Sequence, residues 1–134
     1  MIGLLDTSVV IAANKPGESP PDLSDFDEVL ISSLTFAELE FGLRPGRGAP
    51  ISSGRRQRLD EIRDRFGPGL PFDAPCLAAL RRLLAHIAAN GGDPRVDRFD
   101  RMIAATALAH AATLVTRDQS DSPLFTPLIP TTLR

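Results

Sequence analysis

The chain opens with a short apolar run, Ile2-Gly3-Leu4-Leu5, which stops abruptly at Asp6-Thr7-Ser8 before a second apolar run starts at Val9. Four apolar residues without polar alternation read as a strand buried on both faces, as in a parallel sheet covered by helices. A carboxylate at the carboxyl end of such a strand stands at the rim where open α/β sheets bind ligands. Asp6 is therefore the first candidate site residue. On this segment alone a plainer reading stays open, in which Asp6 or Thr7 only caps the helix that follows.

The rest of the chain repeats the alternation. A turn-rich KPGESPP loop and a polar stretch over 22–28, with room for a short helix, lead to a second strand at 29–33. A helix over 34–43 follows, with Ser33 or Thr35 as its cap. Residues 44–54 break regular structure. A helix over 55–66 carries Leu59, Ile62 and Phe66 at spacings of three and four. A very short third strand is expected at 70–72, then a helix over 75–89 started by Asp73 and ended at Asn90-Gly91-Gly92. The most periodic helix spans 95–112, a strand follows at 113–116, and a last short strand is expected at 128–129 between two prolines. Strands alternating with helices imply an α/β fold, a small parallel β-sheet flanked by helices in three layers, α/β/α. At 134 residues, 1–134 is expected to form a single domain.

Several chemistries are excluded. A lone cysteine, Cys76, rules out an intramolecular disulfide framework and reads as a core residue. His86 and His110 lack partners at zinc-ligand spacing and read as structural or surface residues. The apolar start has no basic leader region, and no run reaches the roughly 18 apolar residues of a membrane helix. A cytoplasmic protein without membrane contact is expected. The net charge of −2 does not announce a nucleic-acid binder. Among the basic residues, however, only Lys15 is a lysine, and arginine suits phosphate through its planar fork of donors.

Acids fall at equivalent places in the pattern. Asp6 ends the first strand, Glu38 lies in the first turns of the helix after the second, Asp100 lies early in a long helix, and Asp118 stands two residues beyond the strand at 113–116. In a parallel sheet, strand ends and helix starts share one rim, so these carboxylates can meet. The meeting is costly, since two unit charges about 4 Å apart repel by about 4 kcal/mol at an effective dielectric near 20. A divalent cation resolves the repulsion, and an oxygen-only donor set suits Mg²⁺ or Mn²⁺. With phosphate nearby, such a site implies hydrolysis of a phosphodiester by an activated water. Asp93, Asp97 and Asp100 share one helical face that continues through Ala104, Ala107 and Ala111, small residues that let the helix approach the rim. Periodicity does not choose between Glu38 and Glu40.

The segments LLDTSVVIA, ISSLTFAELEFGL, FDRMIAATALAH and LVTRD, in this order and at this spacing, resemble the PIN-domain family, and within it the VapC-type toxin ribonucleases of toxin–antitoxin pairs. The resemblance covers essentially the whole chain. It implies a PIN-like fold, an acidic quartet of Asp6, Glu38, Asp100 and Asp118 that binds the metal and is catalytic, and hence Glu38 over Glu40. It implies accessory roles for Asp97 and Asp121, and a site-orienting hydroxyl at Thr116. Ser8 stands where many relatives have Asn. The approach to the third acid, GGDPRVDRFD, departs from the family's usual spacing pattern. The family further implies an endoribonuclease dependent on Mg²⁺ or Mn²⁺, an RNA substrate, a homodimer, and a small cognate antitoxin that binds DNA. The alternative is a PIN-like binding or assembly module without turnover.

An RNA substrate needs phosphate contacts, and Arg117, Arg98 and Arg101 flank the candidate acids, with Arg44 and Arg47 in the loop after the Glu38 helix. Tyr and Trp are absent and the phenylalanines read mostly as core, so shape and backbone contacts are expected rather than stacking on aromatics. A patch from the helices at 34–43 and 55–66 is a candidate interface between copies. A haloacid-dehalogenase phosphatase would need an acid where Ser8 stands. A receiver domain would need a later lysine, and no Gly-rich phosphate loop or nucleophile elbow is present.

Overall fold

A computed structural model of the chain describes residues 1–43, 53–118, 120 and 122–134. Arg44, Arg47 and Asp121 lie outside the described residues. Four parallel strands form one sheet: β1 (Ile2–Leu5), β2 (Glu28–Ile31), β3 (Thr113–Thr116) and β4 (Thr131–Leu133), in the spatial order β2-β1-β3-β4. Leu5 pairs with Ile31 on one side and with Val115 on the other. The helices are α1 (Thr7–Ala13), α2 (Ser33–Gly42), α3 (Ser53–Phe66), α4 (Ala74–Ala89), α5 (Arg98–Ala109) and the single turn α6 (Ser122–Phe125).

Strand side chains alternate between faces, and the core divides accordingly. Leu4 and Leu114 pack with Leu83, Ile87, Ile103 and Ala104 of α4 and α5. Leu5 and Val115 pack on the opposite face with Val9, Val10, Phe36, Leu59 and Ile62 of α1, α2 and α3. The three-layer α/β/α arrangement expected from the alternation is present. Burying each of the Leu, Ile, Val and Phe side chains among these contributes about 1.5–3 kcal/mol before entropy is counted.

Three expectations are corrected. The third strand at 70–72 is not formed. Leu70 makes one parallel bridge to Ser32, its N–H donating to the Ile31 carbonyl (2.8 Å) and its carbonyl accepting from Ser33 (2.9 Å). Pro71 has no N–H with which to continue the ladder. The last strand lies at Thr131–Leu133 rather than 128–129; the Ile129 N–H turns back to the Phe125 carbonyl (3.0 Å), which holds that stretch in a turn. No helix forms over 22–28, where Asp22 instead accepts from the Ser24 N–H (3.0 Å). Helix boundaries also move. Ser32, not Ser33 or Thr35, caps α2. The helix α5 is shorter than 95–112 because Asp97 (φ 52°) and Ala111 (φ 51°) adopt the left-handed conformation at its two ends. Asp93 and Asp97 therefore precede the helix and do not share a helical face with Asp100.

Candidate active site

Strand order decides where a site can lie. From β1 the chain crosses to β2 on one side, and β3 and β4 lie on the other. The crevice outside the carboxyl ends of β1 and β3 is thus the topological switch point, the place where open α/β sheets bind ligands. The two strand ends are tied together there. The Asp6 N–H donates to the Val115 carbonyl (2.9 Å), and the Arg117 N–H donates to the Ser8 hydroxyl (3.1 Å).

Each acid has an identifiable local cause. Asp6 ends β1 and caps α1, accepting from the Val9 N–H (3.2 Å) and from the Ser8 hydroxyl. Capping and a place at the rim are therefore not alternatives, since one side chain does both. Asp100 lies in the first turn of α5, a favourable place for a carboxylate beside the helix dipole. Asp118 follows β3. Its N–H donates to the buried Thr116 hydroxyl (3.0 Å), and its carboxylate accepts from the Ser120 N–H (2.8 Å) and hydroxyl (2.6 Å). The Ser120 hydroxyl, and then its amide, holds the Asp118 carboxyl below the ordinary aspartate range.

Asp6, Asp100 and Asp118 line one small cleft with Leu114, Thr116 and Phe125. Its open space is about 10 Å³, close to that of a single water. Glu38 stands beside it and accepts a hydrogen bond from the hydroxyl of Thr7, the residue after Asp6. Glu40 points elsewhere, into an ion pair with Arg56 (3.1 Å) on α3.

The accessory and phosphate candidates separate. Ser8 and Thr116 join the network, while Asp97 is exposed at the entrance to α5 with no capping hydrogen bond from its side chain. Arg98 and Arg117 are exposed. Arg101 is buried rather than presented to a substrate as expected of it. It is 2% exposed, and its guanidinium lies 5.5 Å from the Phe125 ring centroid. Its position three and four residues before Ala104 and Ala105 puts it on the packed face of α5. Phe41 is not a core residue either, being 70% exposed on α2. The roles of Thr7 and Ser120 were not anticipated; Ser120 carries a local signal, the Asp-x-Ser spacing that lets a carboxylate bond its own backbone two residues on.

Among the described residues, no three His, Cys, Asp or Glu stand close enough together to hold a metal ion between them. The donor set around the cleft is oxygen only. Mg²⁺ keeps several waters and takes one or two carboxylates directly, so spaced carboxylates around a water-sized opening fit it. The same set offers zinc neither His nor Cys.

A second, larger opening of about 440 Å³ lies between the ends of α1 and α2 and the side of α3, with Leu39, Leu43, Leu59 and Ile62 among its walls and Lys15 and Arg58 at its margin. None of the candidate acids lines it.

The PIN domain family model matches residues 3–120, a span that includes all four acids. The chain belongs to the PIN-domain family. This PIN domain is 36% identical over 108 residues to ribonuclease VapC8 of Mycobacterium tuberculosis, covering 79% of this chain and 90% of that protein. It is 30% identical over 122 residues to toxin FitB of Neisseria gonorrhoeae, covering 86% of each. Among solved structures, VapBC-5 of M. tuberculosis, a member of the VapBC family of toxin–antitoxin systems, superposes with a TM-score of 0.72 at 29% identity over 98% of this chain and 96% of that one. VapBC2 of Rickettsia felis, bound to a promoter DNA fragment, shares the fold with a TM-score of 0.78 at 24% identity over 100% and 99% of the two chains.

Proposed function

We propose that residues 1–134 are one domain that acts as the endoribonuclease toxin of a toxin–antitoxin pair, hydrolysing RNA phosphodiester bonds with Mg²⁺ or Mn²⁺ at Asp6, Glu38, Asp100 and Asp118. The observation that carries this reading is the convergence of three acids, distant in sequence, on one water-sized cleft at the switch point of the sheet. The family membership and the names of the relatives support the same activity.

Asp6, Asp100 and Asp118 would hold the cation, with Glu38 beside them. When bound, it would offset the carboxylates' mutual repulsion and act as a Lewis acid toward a phosphodiester oxygen. The protein's own groups do the positioning. Ionised carboxylates only accept hydrogen bonds, so a water among them must point its protons inward and its lone pair outward, toward a phosphodiester at the mouth. Ser8 and Thr116 fix the strand ends that carry Asp6 and Asp118, Thr7 fixes Glu38, and Ser120 holds the Asp118 carboxylate in place and lowers its pKa. Arg117, between Thr116 and Asp118, and Arg98, two residues before Asp100, are exposed and would take flanking phosphates.

The partner reading follows the relatives solved as VapBC complexes. An antitoxin segment would be held on the apolar opening between α1, α2 and α3, and a homodimer and a cytoplasmic location complete the reading. Among the described residues no helix is long and apolar enough to cross a membrane.

The test is cleavage of structured RNA by purified protein with Mg²⁺ or Mn²⁺, run beside an identically purified Asp6→Asn variant. Cutting by the wild type alone, abolished by chelator, is expected. Equal cutting by both samples would expose a contaminant. Absent cutting across several RNAs, with no metal-induced stabilisation, would favour a binding module without turnover.

A further inference from the structure

Phe41 is the most exposed large apolar side chain described, at 70%, and it is not isolated. Its ring meets that of Phe99 with centroids 5.9 Å apart and planes at 57°. Phe99 is half-buried. A tilted pair of this kind is a favourable aromatic geometry, and it braces the outer ring while leaving much of its surface in water.

The place of the pair is informative. Phe41 lies three residues after Glu38, so the two side chains share one face of α2, about one helical turn apart. Phe99 immediately precedes Asp100 in the first turn of α5. The pair therefore bridges α2 and α5, the two helices that carry Glu38 and Asp100. Arg98, exposed, immediately precedes Phe99 in the chain. A braced aromatic face next to an arginine, one turn from a site for phosphodiesters, has the composition of a single-strand binding surface. Every base has a π-face to stack, and the arginine takes the backbone.

Resting on the nuclease reading above, we propose that the Phe41–Phe99 pair is a stacking platform for an unpaired RNA base beside the phosphodiester to be cut. This makes Phe41 a specificity-determining residue that favours single-stranded over duplex RNA at the site.

The experiment uses the full chain and a short unpaired RNA of mixed sequence carrying 2-aminopurine, with chelator for binding and Mn²⁺ for cleavage. Phe41→Leu keeps an apolar side chain at an exposed position and removes the ring. It is expected to raise Kd and KM roughly tenfold, in the range measured for one stacked base, with little change in kcat. It should also abolish the fluorescence quenching that the wild type produces. Phe41→Trp should restore affinity and quenching. Leu77→Ala, which removes another exposed apolar side chain on α4 (60% exposed), should change neither. Duplex RNA should bind with little dependence on Phe41. Unchanged binding and KM in Phe41→Leu, with the wild type cutting RNA, would overturn the platform and leave the nuclease standing. Unchanged RNA affinity with loss of self-association in sedimentation would overturn it too, assigning the face to a second copy of the chain. Neither binding nor cutting by the wild type would bring down the nuclease reading and the platform together.

Discussion

Glu38 and Glu40 stand two residues apart on α2, and their surroundings divide them. Glu38 accepts from Thr7 beside the cleft, while Glu40 is held outward by Arg56. Glu38→Gln is expected to lower RNA cleavage by roughly a hundredfold or more, as for loss of an essential acid–base group. Glu40→Gln should leave it near normal, because exposed ion pairs contribute little. Single-turnover rates on one RNA decide between them, and the reverse order would sink the assignment. Ser120 offers a second test. Its hydroxyl depresses the Asp118 pKa, so Asp118 stays ionised as pH falls below the ordinary aspartate range. Ser120→Ala removes the largest cause, and the acid limb of the pH–rate profile should move to higher pH. An unmoved limb would separate Asp118 from the activity.

At the scale of elements, helix ends were harder to read than helix interiors. The strand at Thr113–Thr116 and the capping of α4 by Asp73 were legible because each rests on local chemistry: apolar burial on both faces in one, a side chain accepting from the Cys76 N–H (3.3 Å) in the other. The strand Thr131–Leu133 has no local signal, because it is set by its pairing with β3, while the prolines at 127 and 130 bracket residues that form a turn. The cleft was legible as a set of strand-end acids, but the burial of Arg101 was not, since it depends on which face α5 turns to Phe125. Both α4 and α5 end in the same backbone motif. Gly91 (φ 82°) occupies the left-handed position after α4, with the Gly92 N–H donating to Ile87 (2.9 Å). Exposed Ala111 occupies it after α5, with the Ala112 N–H donating to Ala107 (2.9 Å). Glycine bears that conformation without steric cost. Ala111→Gly is therefore expected to stabilise the protein by about 0.5–1 kcal/mol after the entropy lost to a freer unfolded chain. Thermal denaturation should show it as a rise of about 1–4 °C.

At the scale of the whole molecule, charge links stability to solution conditions. Asp73 is held below the ordinary range by its hydrogen bonds from Cys76, as Asp118 is by those from Ser120. For a depressed carboxylate, the folded state binds the proton less tightly than the unfolded state. Its stabilisation is present above the unfolded pKa and is lost as pH falls through the folded one. Tm should therefore fall on acidification through and below the ordinary aspartate range. Divalent metal should act in the opposite sense at neutral pH. A cation that binds only the folded cleft stabilises by about 2.7 kcal/mol at a hundred times its dissociation constant, so millimolar Mn²⁺ should raise Tm by several degrees. Asp6→Asn should blunt the rise. A wild-type Tm indifferent to Mn²⁺ would count against the acid cleft as a metal site.

The sheet order also bears on when the molecule becomes dangerous to its maker. The first strand of the chain waits for β3, whose Val115 pairs with Leu5 across most of the sequence. Asp118 is supplied only after that pairing partner has been synthesised. On a ribosome, the emerging polypeptide carries Asp6 and Glu38 early but has no cleft until residues 100–125 have left the exit tunnel. The proposed hydrolytic centre is thus built late by topology alone. A prematurely terminated product ending after α4 should be harmless to its own messenger, with β1 left as an unpaired edge and prone to aggregate.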